Sequence, residues 1–353
     1  MRQATTFSMP IIAVVGTFLL ATMVYLGGSY VMLPGIDEDA LASHLAAIPS
    51  SPAGQLSIIF LWVSPLFGAL CLAEIAKLIC PPLARWQLAH QDNDYKLLIG
   101  IRILTLCLAA FQGYGVVTAL SSIGLISGPE PLMRLLAIVG LMGGTALTIW
   151  VAERLRLPEG NLGIFIMLIV PVVTRLAADA SGYIGAIRQG RISMEECLVV
   201  IVIVAVAIAM IRAVYAELSA GPWKSIDILI WPPVLAEVAT GYLLSAVILF
   251  SGAEALADVA RMRICATAIT CALIPLFAYG YFRRSTSQSG NAATSAYLKT
   301  FLKVIVAEVV IVLGCALIGI WLQPILLLNA QILIAGVVIV LVAMRYGTTQ
   351  GES

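Results

Sequence analysis

The chain has 353 residues, of which 61% are hydrophobic and only 11% charged, with a formal net charge of +1. A soluble domain carries roughly a quarter of its residues as Asp, Glu, Lys or Arg, so this chain has too few charges to wet its own surface, and most of that surface must face lipid. No basic or acidic excess is available to hold a nucleic acid.

A membrane-crossing helix needs roughly 20 apolar residues. On that scale, spans are predicted near 11–33, 57–79, 98–120, 134–153 and 162–180, then near 195–215, 228–250, 262–282, 301–322 and 325–345. The first run, from about Pro10 to Leu33, is too long for a signal-peptide core and lacks a small-x-small cleavage site, so it reads as a span. The expectation is an all-α polytopic membrane protein of about ten transmembrane helices, in two five-helix halves, 1–185 and 186–353. The stretch Pro49 to Gly54 cannot be a regular helix. Prolines are predicted to interrupt spans at Pro65, Pro171, Pro232 with Pro233, and Pro275. Broken helices are tolerated at membrane depth where the freed backbone faces protein or a water-filled cavity. Breaks at similar places in two halves suggest an inverted repeat, which fits a transporter as well as a channel.

The connections carry a charge bias. With the N-terminus inside, fourteen Lys and Arg, from Arg2 through Lys77, Arg85, Lys96 and Arg102 to Arg345, fall on the inner side. Six fall outside: Arg134, Arg175, Arg188, Arg191, Arg261 and Arg263. The bias predicts cytoplasmic N- and C-termini, and Asp37, Glu38 and Asp39 in the first outer loop agree. Seven cysteines lie in or beside apolar segments with no C-x-x-C pair, and read as small apolar residues of packed helices. Only His44 and His90 are present, both in expected loops, which speaks against a histidine metal site. No nucleophile–base pair, metal set or phosphate loop appears, so the expectation is a non-enzyme without cofactors. Several ionisable residues fall in or near spans: Glu74, Lys77, Arg102, Glu153, Arg175, Asp179, Glu237 and Glu308. Glu74 with Lys77 and Arg175 with Asp179 have the spacing to pair on one helix face. Such groups usually face a partner or a cavity; for Glu237 a water-filled funnel, an interhelix hydrogen bond and a proton relay all stay open.

Short motifs then follow in order: Gly28-Ser-Tyr-Val-Met-Leu-Pro-Gly-Ile-Asp37, Ser57-Ile-Ile-Phe-Leu-Trp-Val-Ser-Pro65, Ile101-Arg-Ile-Leu-Thr-Leu106 with Ala110-Phe-Gln112, and Gly144-Thr-Ala-Leu-Thr-Ile-Trp-Val-Ala-Glu153 with Glu159-Gly-Asn161. Val172-Val-Thr-Arg-Leu176 and the turn Arg188-Gln-Gly190 come next, and Pro232 to Phe250 matches a seventh helix more loosely. In this order they resemble the SecY family of protein-conducting channels, closely in the first half and by span order in the second.

The resemblance implies an hourglass channel for unfolded polypeptides, sealed at its waist by a ring of apolar side chains that excludes ions by dewetting. Carried over by motif, the ring would take Val63, Phe67 and Cys71 from the second helix and Ile164 and Leu168 from the fifth. The seventh would add Ile230 and Val234, and the tenth Ile334, with Glu237 as a candidate funnel residue. An apolar residue in an apolar helix would look the same without any pore. A plug would fall at about 42–56, and small SecE-like and SecG-like subunits would be partners. The chain departs from the family in the cytoplasmic connections near 217–227 and 283–296, which are short where the family's are long and basic. That argues against docking of the usual SecA motor or ribosome. The expected location is a bacterial inner membrane and the expected role a specialised channel. The alternatives are a SecY-fold assembly or insertion factor without an open pore, and a secondary transporter.

Overall fold

The structure is a computed structural model that describes residues 11–47, 56–126, 130–155, 163–220, 226–251, 258–287, 294–321 and 329–348. Its contacts cluster into two compact units, one formed by 15–155 and one formed chiefly by 156–353. Apart from two isolated bridges, the regular elements among the described residues are helices.

The first unit holds α1 (Ile11–Ser29), α2 (Glu38–Ala47), α3 (Ser64–Ile79), α4 (Pro81–Ala89), α5 (Gln91–Ser122) and α6 (Glu130–Arg154). α3 packs on α5 and α5 on α6. The α5 side of the α5–α6 seam is built from small residues: α5 buries Thr105, Ala109, Gly113 and Val117 at four-residue spacing, and a Cβ on Gly113 would meet Leu141 and Ile138 of α6. Small side chains let the backbones approach, which is the main source of helix attraction where lipid is as apolar as the packed side chains. The Thr145 and Thr148 hydroxyls donate to the carbonyls of Leu141 and Gly144 (3.0 and 2.9 Å) and so leave no polar atom to the lipid. At the seam's end Arg102 Nε donates to Glu153 Oε1 at 2.7 Å.

Between α1 and α2, and at the entry to α3, the described residues are irregular but tied down. Leu33 N donates to Leu56 O, Ile58 N to Val31 O and Asp37 N to Leu125 O, at 3.0–3.2 Å. Asp37 Oδ1 then caps α2 by accepting from the amides of Asp39 and Ala40. The apolar core beneath gathers Leu33, Leu41, Leu56, Leu61, Val117, Leu125 and Leu141.

The second unit holds α7 (Gly163–Arg188), α8 (Met194–Ala220), α9 (Asp227–Ser251), α10 (Val259–Ser287), α11 (Thr294–Trp321) and α12 (Ala330–Thr348). α9 packs on α10, α10 on α11, and α11 on α8. α12 touches α7, α8 and α9. Lys303 Nζ bonds Glu217 across α8 and α11 (2.8 Å), and the Thr240 and Thr270 hydroxyls pair across α9 and α10 (2.9 Å).

All ten predicted spans contain a helix. Among the described residues six helices pass alone as spans by length and composition, and there are eight spans if the bent pairs α3–α4 and Gly163–Leu176 with Ala180–Arg188 of α7 each count as one. The apolar helices Val15–Ser29 and Ala330–Arg345 are shorter. Two expectations change. The second span is helical only from Ser64, because residues 57–63 form turns and Trp62 takes a positive φ of 44°. Pro171, Pro232, Pro233 and Pro275 do not break their helices but lie inside them. A proline forfeits one backbone donor, and neighbouring helices can satisfy the carbonyl so released. Pro65 sits in the first turn of α3, where no donor is needed. The stretch 49–54 and Glu159-Gly-Asn161 lie outside the described residues, as does the greater part of 42–56.

Lys77 donates to Glu74, and both side chains are nearly buried near the end of α3. Breaking such a pair strands a charge at a cost of about 3 kcal/mol, whereas removing both charges is close to neutral. Lys77→Met is therefore expected to lower the thermal midpoint in detergent clearly, and Glu74→Gln added to it should restore most of the loss. Differential scanning fluorimetry on the two variants checks this.

Candidate channel-lining residues

The entry to α3 decides where its side chains point. Gly144 of α6 lies so close to residue 58 that a Cβ built on it would stand 1.9 Å from the Ile58 carbonyl oxygen. On the other side, Gly28 of α1 lies against the Ile59 side chain. Trp62 is buried with its ring edge-on to Tyr25 at 4.9 Å. A non-glycine residue at positive φ costs on the order of 1–3 kcal/mol, which burial of the indole and the ring contact offset. These contacts set the start of α3, and hence the rotation of everything after it.

Val63 then occupies the N-cap of α3, its carbonyl accepting from Phe67 N at 3.0 Å, and Phe67 and Cys71 follow on the same face. All three are buried, but so are Pro65, Leu66, Gly68 and Ala69. The first two turns are covered nearly all round, so burial does not single out the row at 63, 67 and 71.

In the second unit Ile164 is buried on α7 and Leu168 is half-buried; Ile230 and Val234 are buried on α9, and Ile334 on α12. The packing of α12 on both α7 and α9 brings these helices together, and the Phe165 and Trp231 rings, each next to one of the five residues, meet edge-on at 4.7 Å.

Glu237, one turn beyond Val234, accepts a hydrogen bond from Asn329 Nδ2 at 3.1 Å. The other end of that amide accepts from the backbone N–H groups of Gln331 and Ile332 (3.0 and 3.3 Å) at the start of α12. A cavity of ≈ 390 Å³ in this unit is lined by Glu237, Thr240, Arg263, Thr270, Gly319 and Asn329 among others. Arg263 Nη1 donates to the carbonyl of Gly319 at 2.6 Å. Glu308 of α11 is fully buried, and neither carboxyl oxygen has a hydrogen-bond partner among the described residues. The sequence marks Glu237 and Glu308 as unusual but not Asn329: the bond spans 92 positions, and a lone Asn before a helix announces only a cap. Among the described residues no group of three or more His, Cys, Asp or Glu could hold a metal ion.

Comparison with known proteins gives one family. The SecY family profile matches residues 57–220. Protein translocase subunit SecY of Rickettsia conorii (strain ATCC VR-613 / Malish 7) is 25% identical over 206 residues, covering 53% of this chain and 48% of that protein. SecY of Escherichia coli (strain K12) is 27% identical over 199 residues, covering 52% and 45%. The chain thus matches about half the length of these curated relatives. A solved chain from a study of the plug domain of SecY and its closed state aligns with a TM-score of 0.60 and 12% identity, over 95% of this chain and 91% of that one. The fold is therefore SecY-like along nearly the whole chain, and the family profile covers residues 57–220 of it.

Proposed function

We propose, on the premise that the chain belongs to the SecY family as a distant member, that it is a protein-conducting channel subunit. It moves unfolded polypeptides across the membrane or inserts them into it, for specialised substrates. The observation that carries this reading is the ordered set of motifs from Ser57-Ile-Ile-Phe to Val172-Val-Thr-Arg, which falls within the matched segment 57–220. Val63, Phe67, Cys71, Ile164, Leu168, Ile230, Val234 and Ile334 form the seal, Glu237 faces the funnel outside it, and the segment 42–56 is the plug. The two halves 1–185 and 186–353 are the pseudo-symmetric repeats. Both termini lie on the cytoplasmic side of a bacterial inner membrane, and small SecE-like and SecG-like subunits bind the outer helix faces. The loop lengths support specialisation: α8 ends at Ala220 and α9 begins at Asp227, and α10 ends at Ser287 and α11 begins at Thr294. Connections that short leave little for a SecA-type motor or a ribosome to grip. The same shortness favours a second reading, an assembly or insertion factor that keeps the fold without a through-pore.

Photo-crosslinking separates the two. A photoreactive residue is placed in turn at Phe67, Ile230 and Ile334, irradiated in cells, and the adducts are sequenced. The channel reading expects adducts to exported or inserted polypeptides at all three positions and few at the lipid-facing Leu72 and Leu249. Adducts confined to this chain at the three ring positions overturn it and leave the assembly factor.

A further inference from the structure

The chain turns through 107° between α3 and α4. The break falls at Cys80–Pro81, where Pro81 and Pro82 open the new helix and Cys80 has neither helical φ nor helical ψ. α3 belongs to a candidate span and α5 is one, so a helix set nearly at right angles to the end of α3 lies roughly in the plane of the membrane. α5 has 32 residues, about 48 Å at helical rise, against about 30 Å for a hydrocarbon core. Its first turns therefore have length to spare at the headgroup level, and that is where α4 is fastened. Asn93 Nδ2 donates to the Trp86 carbonyl and Gln87 Nε2 to Asp94 Oδ1, each at 2.8 Å.

α4 buries none of its nine residues. Half-covered Leu83, Ala84 and Gln87 lie on one arc, the side toward its packing partners α3 and α5. Pro82, Arg85, Trp86 and Ala89 are exposed and fall at i, i+3, i+4 and i+7, a single stripe with Leu88 at its margin. Trp86 is 41% exposed, Leu88 49%, and Ile79 just before the bend 78%. That stripe is apolar except for one guanidinium. It has no acid, and no ion pair among the described residues engages Arg85. Tryptophan with an arginine on an otherwise apolar face is the composition that settles at the boundary between headgroups and acyl chains. Water on that face would leave the apolar side chains wet, whereas lipid covers them and offers Arg85 a phosphate.

We infer that α4 is an interfacial helix. Its outward stripe of Pro82, Trp86, Ala89 and Leu88 rests in the upper acyl region of the leaflet at that end of α3, and Arg85 binds a phospholipid phosphate. The inference concerns the perimeter of the protein and does not depend on whether a pore opens.

The test uses the full chain reconstituted in phospholipid vesicles. The part of the tryptophan emission lost in Trp86→Phe reports the Trp86 indole. That component is expected to be quenched by lipids brominated high in the acyl chain, less by lipids brominated near the chain end, and little by iodide. Arg85→Glu is expected to lose most of the bromolipid quenching and gain iodide quenching, while Arg85→Lys keeps the original pattern. A Trp86 component quenched by iodide and untouched by brominated lipid overturns the inference. Unchanged quenching in Arg85→Glu overturns the phosphate contact.

Discussion

Gly144→Ala is expected to be among the most damaging single-methyl changes this chain can carry. The new Cβ would stand 1.9 Å from the Ile58 carbonyl oxygen and 2.6 Å from its carbon. Those are backbone atoms between two helices, not the end of a side chain that can swing aside. Overpacking costs typically 1–3 kcal/mol when side chains can shift, and with backbone opposing backbone the cost should reach or pass about 3 kcal/mol. The adjacent Gly143 is the control, because its added Cβ meets nothing within 4 Å. Gly143→Ala should be neutral or slightly stabilising, since alanine is the better helix former by about 1 kcal/mol. Thermal midpoints of the two variants in the same detergent decide the matter. Equal midpoints would mean that residue 58 does not lie against α6 as described.

The second large effect concerns ions. If Phe67 and Val234 belong to the apolar seal, replacing both by glycine removes two of its side chains, and the constriction wets. In planar bilayers Phe67→Gly with Val234→Gly should conduct ions steadily where the parent is tight. Glycine also loosens helices, by about 1 kcal/mol each. The comparison is therefore a pair at exposed positions of the same helices, Leu72→Gly with Leu243→Gly. That pair carries the same backbone cost and should stay tight. A ring double variant no leakier than its parent would remove Phe67 and Val234 from the seal.

How much of this was legible in the residues depends on the range of the interaction. Each of the ten apolar segments that hydropathy marks contains a helix, and among the described residues six of these helices, or eight spans with the bent pairs, are long and apolar enough to cross a membrane. Hydropathy could not see that 57–63 is not helical. That stretch is as apolar as the helix it precedes, and its turns depend on Gly144, which follows eighty residues later. Proline misled in the opposite direction: breaks are expected at Pro171, Pro232 and Pro275, and the helices run through all three. The stretch Gly144-Thr-Ala-Leu-Thr-Ile-Trp-Val-Ala-Glu153 carries the sharpest part of the family resemblance, and the structure supplies its physical content. Gly144 is small for close approach, Thr145 and Thr148 return their hydroxyls to the backbone, and Glu153 meets Arg102. For the candidate lining residues only residue type and spacing were legible. Burial adds little there, since α3 is covered nearly all round at that level.

Asn329 holds two helices with one planar group, its oxygen on the start of α12 and its nitrogen on the Glu237 carboxylate of α9. As caps, asparagine and aspartate rank equally. Exchanging this amide for a carboxyl group would leave the cap whole but remove the N–H donor that Glu237 accepts from. The single NH₂ therefore fixes the choice between two otherwise equivalent residues, and it makes α9 and α12 a coupled pair, so that a displacement of one is transmitted to the other through its first turn.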